Sequence, residues 1–105
     1  MKRNSRLSLT DKTTAALEDI GLTKTEIKAY LALLEKGTMA ASEVSRVGRI
    51  PYSKVYDSLE ALRKKGWVEA QRSRPILYTA RPPDSALEEM RSRQESDRRE
   101  KEQLI

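Results

Sequence analysis

Ser53, Lys54 and Asp57 bring a hydroxyl, an ammonium and a carboxylate within five residues of one another, flanked by Tyr52 and Tyr56. Such a set donates and accepts hydrogen bonds but holds no nucleophile beside a base. The chain has neither His nor Cys. That removes Ser-His and Cys-His catalysis, disulfides, thiolate chemistry and His/Cys metal sites. The remaining acidic residues fall on solvated helix faces, so the chain reads as no enzyme, with no catalytic residue, metal or cofactor. The chemistry left to these side chains is recognition. Three Arg outside the cluster, Arg49, Arg72 and Arg74, suit the gripping of anionic oxygens.

An element must hold this set in place, and Pro51–Gly66 has the pattern of a helix of about fifteen residues. Pro51 suits its first turn. Val55, Leu59 and Leu62 form one apolar stripe, with Ser53, Lys54, Asp57, Glu60 and Lys64 opposite. Arg63, Lys64 and Lys65 complement the negative C-terminus, and Gly66 can take the left-handed conformation that ends it.

Charge separates the chain into two parts. Residues 1–83 carry 16 Lys and Arg against 9 Asp and Glu, net +7, whereas residues 84–105 carry 5 against 7, net −2. A basic body with a mixed-charge tail implies a polyanionic partner for the body alone. The length, 105 residues, suits one domain with a small core. No run is long enough for a membrane span and no apolar stretch follows the basic Met1–Leu9, so a cytoplasmic location is expected. Charged residues make up 35% of the chain beside a single Asn, which is compatible with a thermophilic source.

In order, residues 1–10 read as a flexible basic N-terminus. Thr10 or Asp11 can cap a short helix with Thr13, Ala16, Leu17 and Ile20 on one face, ended by Gly21. Thr23 and Glu26 form a capping box for a helix to about Lys36, with Ile27, Tyr30, Leu31 and Leu34 on one side. After the extended Thr38–Ala40, a brief helix runs from Ala41 to about Val47, with Val44 and Val47 inward and Gly48 as its stop. A short helix, a Gly-bearing turn and a longer helix make a helix-turn-helix. The period then changes to two. Trp67–Ala70 and Ile76–Ala80 are strands joined by Gln71–Pro75, a hairpin with Arg72 and Arg74 at its tip.

The fold expected is mainly α: a winged helix-turn-helix over residues 11–83 with a two-stranded wing. Residues 84–105 form a long C-terminal helix, read either as a solvated helix held by its own ion pairs or as a coiled-coil dimerisation arm. The seam of that helix is Leu87, Met90, Gln94, Asp97, Lys101 and Leu104, supported by i,i+4 pairs such as Glu89–Arg93 and Arg91–Glu95.

From Ile20 onward these signals resemble the TrmB-like family of archaeal winged-helix transcription regulators. The similar segments are Gly21–Leu34, Ala41–Val44, Ser53–Leu59, Leu62–Glu69 and Pro82-Pro83, with Ser-Lys-Val-Tyr at 53–56 the most specific. The resemblance covers roughly residues 16–90. It implies that the helix opened by this motif reads DNA through Ser53, Lys54 and Asp57. Tyr52 stands where the family often carries Arg. Full-size members add a C-terminal sugar-binding domain; the expectation here is a DNA-binding module without that domain or its sugar response.

Residues and resemblance lead to one expectation: a sequence-specific regulator of double-stranded DNA acting as a homodimer. Ser53, Lys54 and Asp57 face the major groove, where donors and acceptors distinguish all four base pairs. Tyr52 and Tyr56 flank that face; either can give its hydroxyl to a phosphate, and Tyr56 can instead pack against the helix behind. Arg49, Arg72 and Arg74 hold phosphates. Ser42 adds a phosphate contact beside free N–H groups or serves simply as a helix-start residue. The alternative is a winged helix used for protein–protein contact in a transcription or assembly complex, which would display an apolar patch at the wing.

Overall fold

The computed structural model describes residues 12–103, the side chains of 93, 94 and 96–103 excepted. The basic N-terminus at 1–10, the Thr10 or Asp11 cap and Leu104 lie outside them. Helix α1 occupies 12–19 and α2 Lys24–Lys36. Strand β1 (Met39–Ala40) leads into α3 (Ala41–Gly48) and α4 (Tyr52–Lys65). Strands β2 (Val68–Gln71) and β3 (Leu77–Ala80) form the hairpin, and α5 spans Pro83–Gln103.

Helix α2 opens with the expected capping box. The Glu26 N–H donates to Thr23 Oγ1 at 3.2 Å, and the Thr23 N–H donates to Glu26 Oε1 at 3.2 Å. Two otherwise orphaned donors are satisfied at once. The same carboxylate also accepts from Lys65 Nζ at 2.7 Å, which ties the start of α2 to the end of α4.

The buried face of α2 is not the narrow one expected. Ile27 and Tyr30 are buried and Leu31 partly so, but Leu34 is 42% exposed, while Ala29, Ala32 and Leu33 are buried. The cause is packing on more than one side: α2 touches α3, α4 and β3. Ala29 and Ala32 let neighbours approach, so the covered sector turns away from Leu34. Ile20 is likewise exposed, although Leu17 beside it is in the core.

Val55, Leu59 and Leu62 are all fully buried, as the stripe predicts. Pro51, however, is the cap before α4 rather than its first helical residue. Gly66 ends the helix at φ 86°, ψ 15°, its N–H donating to the Arg63 carbonyl at 3.1 Å. Trp67 then turns into the core and meets the Tyr30 ring edge-on at 5.3 Å.

The sheet has one strand more than the wing. β1 lies antiparallel to β3, Met39 opposite Tyr78, giving the order β1-β3-β2. Two residues of β1 are too short to announce a strand by alternation, and β3 supplies the reason for their extended backbone. Within the wing, Val68 pairs with Ala80 and Gln71 with Leu77. Gln71 thus belongs to β2, and Ile76, expected in the second strand, belongs to the loop.

Arg81 joins four parts of the fold. Its carbonyl accepts from the Tyr30 hydroxyl at 2.7 Å, and its N–H donates to the Trp67 carbonyl at 2.9 Å. Its guanidinium donates to the Gly66 carbonyl at 2.9 Å and pairs with Glu89 of α5. Burial pushes the Tyr30 phenol up from 10.0 to about 12, keeping it a donor. The stability linked to that proton is complete below pH 10 and lost as pH rises through about 12.

Candidate nucleic-acid interface

Behind α4 lies the core; in front stands a crest of polar side chains. Ser53, Asp57 and Lys64 are exposed there, with Glu60 partly so. At 3.6 residues per turn these four share the side opposite Val55, Leu59 and Leu62. The two flanks of the crest differ in chemistry.

Tyr52, Tyr56 and Arg63 share the flank toward the wing. An open groove there is lined by Glu60, Arg63, Arg72, Arg74, Ile76 and Tyr78, among others. Arg63 Nε donates to both Glu60 carboxylate oxygens at 3.1 Å, and that bond holds the Glu60 carboxyl below its ordinary range. Tyr52 and Tyr56 are 57% and 49% exposed, their hydroxyls 3.1 Å apart and their rings edge-to-face at 5.5 Å. Tyr56 therefore does not pack against the helix behind. The hydrogen bond with Tyr52 raises the Tyr56 phenol above its ordinary value. One hydroxyl donates to the other, which leaves the second hydroxyl free to donate to a partner.

Lys54 lies on the other flank. It borders a shallow depression with Thr23, Thr25, Glu26, Asp57 and Ser58, beside the first turn of α2. Of the three side chains expected to act together, Ser53 stands on the crest, Lys54 on its α2 side, and Asp57 on the crest at the border of the same depression as Lys54.

The turn before α4 differs from expectation. Gly48 is the last residue of α3, and Arg49 takes the left-handed conformation at φ 55°, ψ 48°. Gly48 lies close to its neighbours instead: a Cβ there would stand 3.2 Å from the Lys28 carbonyl oxygen and 3.1 Å from Ile50 Cδ1, tighter than ordinary contact. The turn is closed reciprocally, Ser45 Oγ donating to the Ile50 carbonyl at 2.6 Å and the Ile50 N–H to the Ser45 carbonyl at 2.9 Å. Arg49 is exposed just ahead of α4. Ser42 is exposed at the second residue of α3 and caps nothing; the cap position belongs to Ala40.

Arg72 and Arg74 are both exposed in the loop between β2 and β3. The Ser73 hydroxyl donates to the Pro75 carbonyl at 2.8 Å and the Ser73 N–H to the Gln71 carbonyl at 2.9 Å. Local bonds thus order the loop backbone between two guanidinium side chains.

Of the expected dimer seam, Leu87 and Met90 are partly buried against the core beside the fully buried Ala86. The side chains of Gln94, Asp97 and Lys101 lie outside the described ones. Arg81 is the residue that sequence reasoning passed over. Its position after the second strand was legible; its bonds to Gly66 and Glu89 were not, because both partners lie on other elements.

Three packed helices, a strand beside them and a basic hairpin form the winged helix-turn-helix class of protein. Residues 17–84 match the family model described as the sugar-specific transcriptional regulator TrmB, and the chain belongs to that family. It is 40% identical over 75 residues to the HTH-type sugar sensing transcriptional regulator TrmBL1 of Pyrococcus furiosus, a match covering 71% of this chain and 22% of that protein. The solved structure of TrmBL2, an archaeal chromatin protein with a novel mode of DNA binding, superposes with a TM-score of 0.75. It is 30% identical, and the match covers 90% of this chain and 36% of that one. Transcriptional regulator Tm0710 from Thermotoga maritima shares the fold at 16% identity and a TM-score of 0.63, over 93% of this chain and 72% of its own. The match spans about a fifth of the length of TrmBL1 and about a third of that of the DNA-binding HTH-type transcriptional repressor TrmBL2 of Thermococcus kodakarensis, to which the chain is 30% identical over 88 residues.

Proposed function

We propose that the chain is a sequence-specific, double-stranded DNA-binding transcription regulator that acts as a homodimer. The observation that carries this reading is the crest of α4, free of the core and set beside an exposed Arg72–Arg74 wing. In this reading α4 enters the major groove. The wing and Arg49 hold phosphates on either side, fixing register without reading sequence. Family membership and the DNA binding of TrmBL2 support the same use of the fold.

Arg49 offers a test with two readouts of opposite sign. A non-glycine residue in the left-handed region costs about 1 kcal/mol or somewhat more. Arg49→Gly is therefore expected to raise stability in urea by about 1 kcal/mol. The same change should weaken binding to a duplex, read by fluorescence anisotropy, because a phosphate contact is lost. Unchanged binding removes Arg49 from the interface.

One α4 covers only a few base pairs, so useful specificity calls for two copies on half-sites about one helical turn apart. Helix α5 is the element proposed to join them, with Leu87, Met90 and Leu104 as its apolar positions and Gln94, Asp97 and Lys101 between. Sedimentation equilibrium on the chain at tens of micromolar, a concentration suited to a micromolar dimer, is expected to show a dimer. Deleting residues 92–105 should leave a folded monomer that binds a palindromic duplex more weakly. A full chain that stays monomeric removes α5 as the joining element.

A further inference from the structure

We propose that Asp57 selects the DNA site by accepting a hydrogen bond from an exocyclic base amine, the amino group that cytosine or adenine presents in the major groove. This rests on the placement of α4 in that groove. Three carboxylates stand on α4 or are bonded to it. Glu60 is held by Arg63, and Glu26 by Lys65. Asp57 has neither a hydrogen bond nor an ion pair with any described residue, and its side chain is exposed.

The helix offers Asp57 one opposite charge within reach, Lys54 three residues earlier beside the same depression, yet the two form no ion pair. Asp57 lies beyond the first turn of α4, where the helix dipole would favour it, and Asp is a poorer helix former than Ala. Glu60, three residues on, is a like charge on the same face. Facing DNA, an unpaired carboxylate is repelled by phosphates at every site. It is also repelled by the acceptor edges of guanine (N7, O6) and thymine (O4). Only an amine reverses the sign. Cytosine N4 and adenine N6 are the two that the major groove offers. Asp57 therefore acts as a filter, lowering affinity everywhere except where an amine meets it. Ser53, one turn earlier on the crest, can donate or accept at the neighbouring base pair.

Site selection from a random duplex library, followed by anisotropy titrations, tests this on the full chain. Asp57→Asn and Asp57→Ala should bind random-sequence duplex more tightly than the wild type, by roughly fivefold. Their preference for the selected site should drop by roughly 5- to 150-fold. In the selected site, cytosine is then replaced by a pyrimidine lacking the 4-amino group, and adenine by purine, one position at a time. At one position the wild type should lose affinity while Asp57→Ala does not, and the base involved identifies the amine. Thermal unfolding of both variants should match the wild type or exceed it slightly. Variants that keep both the wild-type site ranking and its random-duplex affinity overturn the inference and leave DNA binding standing. A wild type that binds no duplex overturns both.

Discussion

Replacing Leu59 with Ala is expected to remove about 2–5 kcal/mol of folding stability, measured by urea unfolding. Leu59 is fully buried at the centre of the α4 stripe, between Val55 and Leu62. The change withdraws the transfer energy of the lost carbons and leaves a cavity. The gain in helix propensity, a few tenths of a kcal/mol at most, offsets little of this. A domain this small has a margin of roughly 5–15 kcal/mol, so much of it would go. Leu34→Ala is the matched control. Leu34 is exposed rather than in the core, and its truncation should cost less than about 1 kcal/mol. A Leu59→Ala loss no larger than that of Leu34→Ala would show that the stripe is not packed. The α4 crest would then have no rigid backing.

The second large effect is on DNA affinity. Each phosphate neutralised by a cation releases counterions, so log K falls with log[salt] at about 0.9 per contact. Arg72→Ala with Arg74→Ala is expected to lower the magnitude of that slope by about 2. Affinity should fall for selected and random duplexes alike, since a phosphate contact carries no base information. Both Arg are exposed in a loop whose backbone is ordered by Ser73, so their removal should leave the wing hairpin intact. A slope equal to that of the wild type would take the wing out of the interface. The wing pair lowers affinity without changing preference, whereas the Asp57 variants lose preference while binding random duplex more tightly.

Local chemistry sufficed to determine much of this chain. The capping box of Thr23 and Glu26, the left-handed Gly66 and the 55–59–62 stripe involve residues within a few positions of one another. Their physics is contained in the segment, and the structure shows each as expected. The polar crest of α4 follows from the same periodicity, being simply the side opposite the stripe. Tertiary structure decided whatever depends on a neighbour distant in sequence. Leu34 faces solvent because α3, α4 and β3 together set which sector of α2 is covered. Met39 and Ala40 are a strand because β3 lies beside them. Gly48, expected as the stop of the short helix, is its last residue and lies close to the Lys28 carbonyl across the helix pair, and the left-handed residue that follows is Arg49. Lys54 and Asp57 border one depression beside α2, whereas Arg63 and Glu60 line the groove toward the wing, because α2 and the wing define different flanks of one helix. Arg81 gains its importance from Tyr30, Trp67, Gly66 and Glu89 together. Periodicity reports which side of an element is apolar; only the packed partners determine how wide that side is and what each edge of it meets.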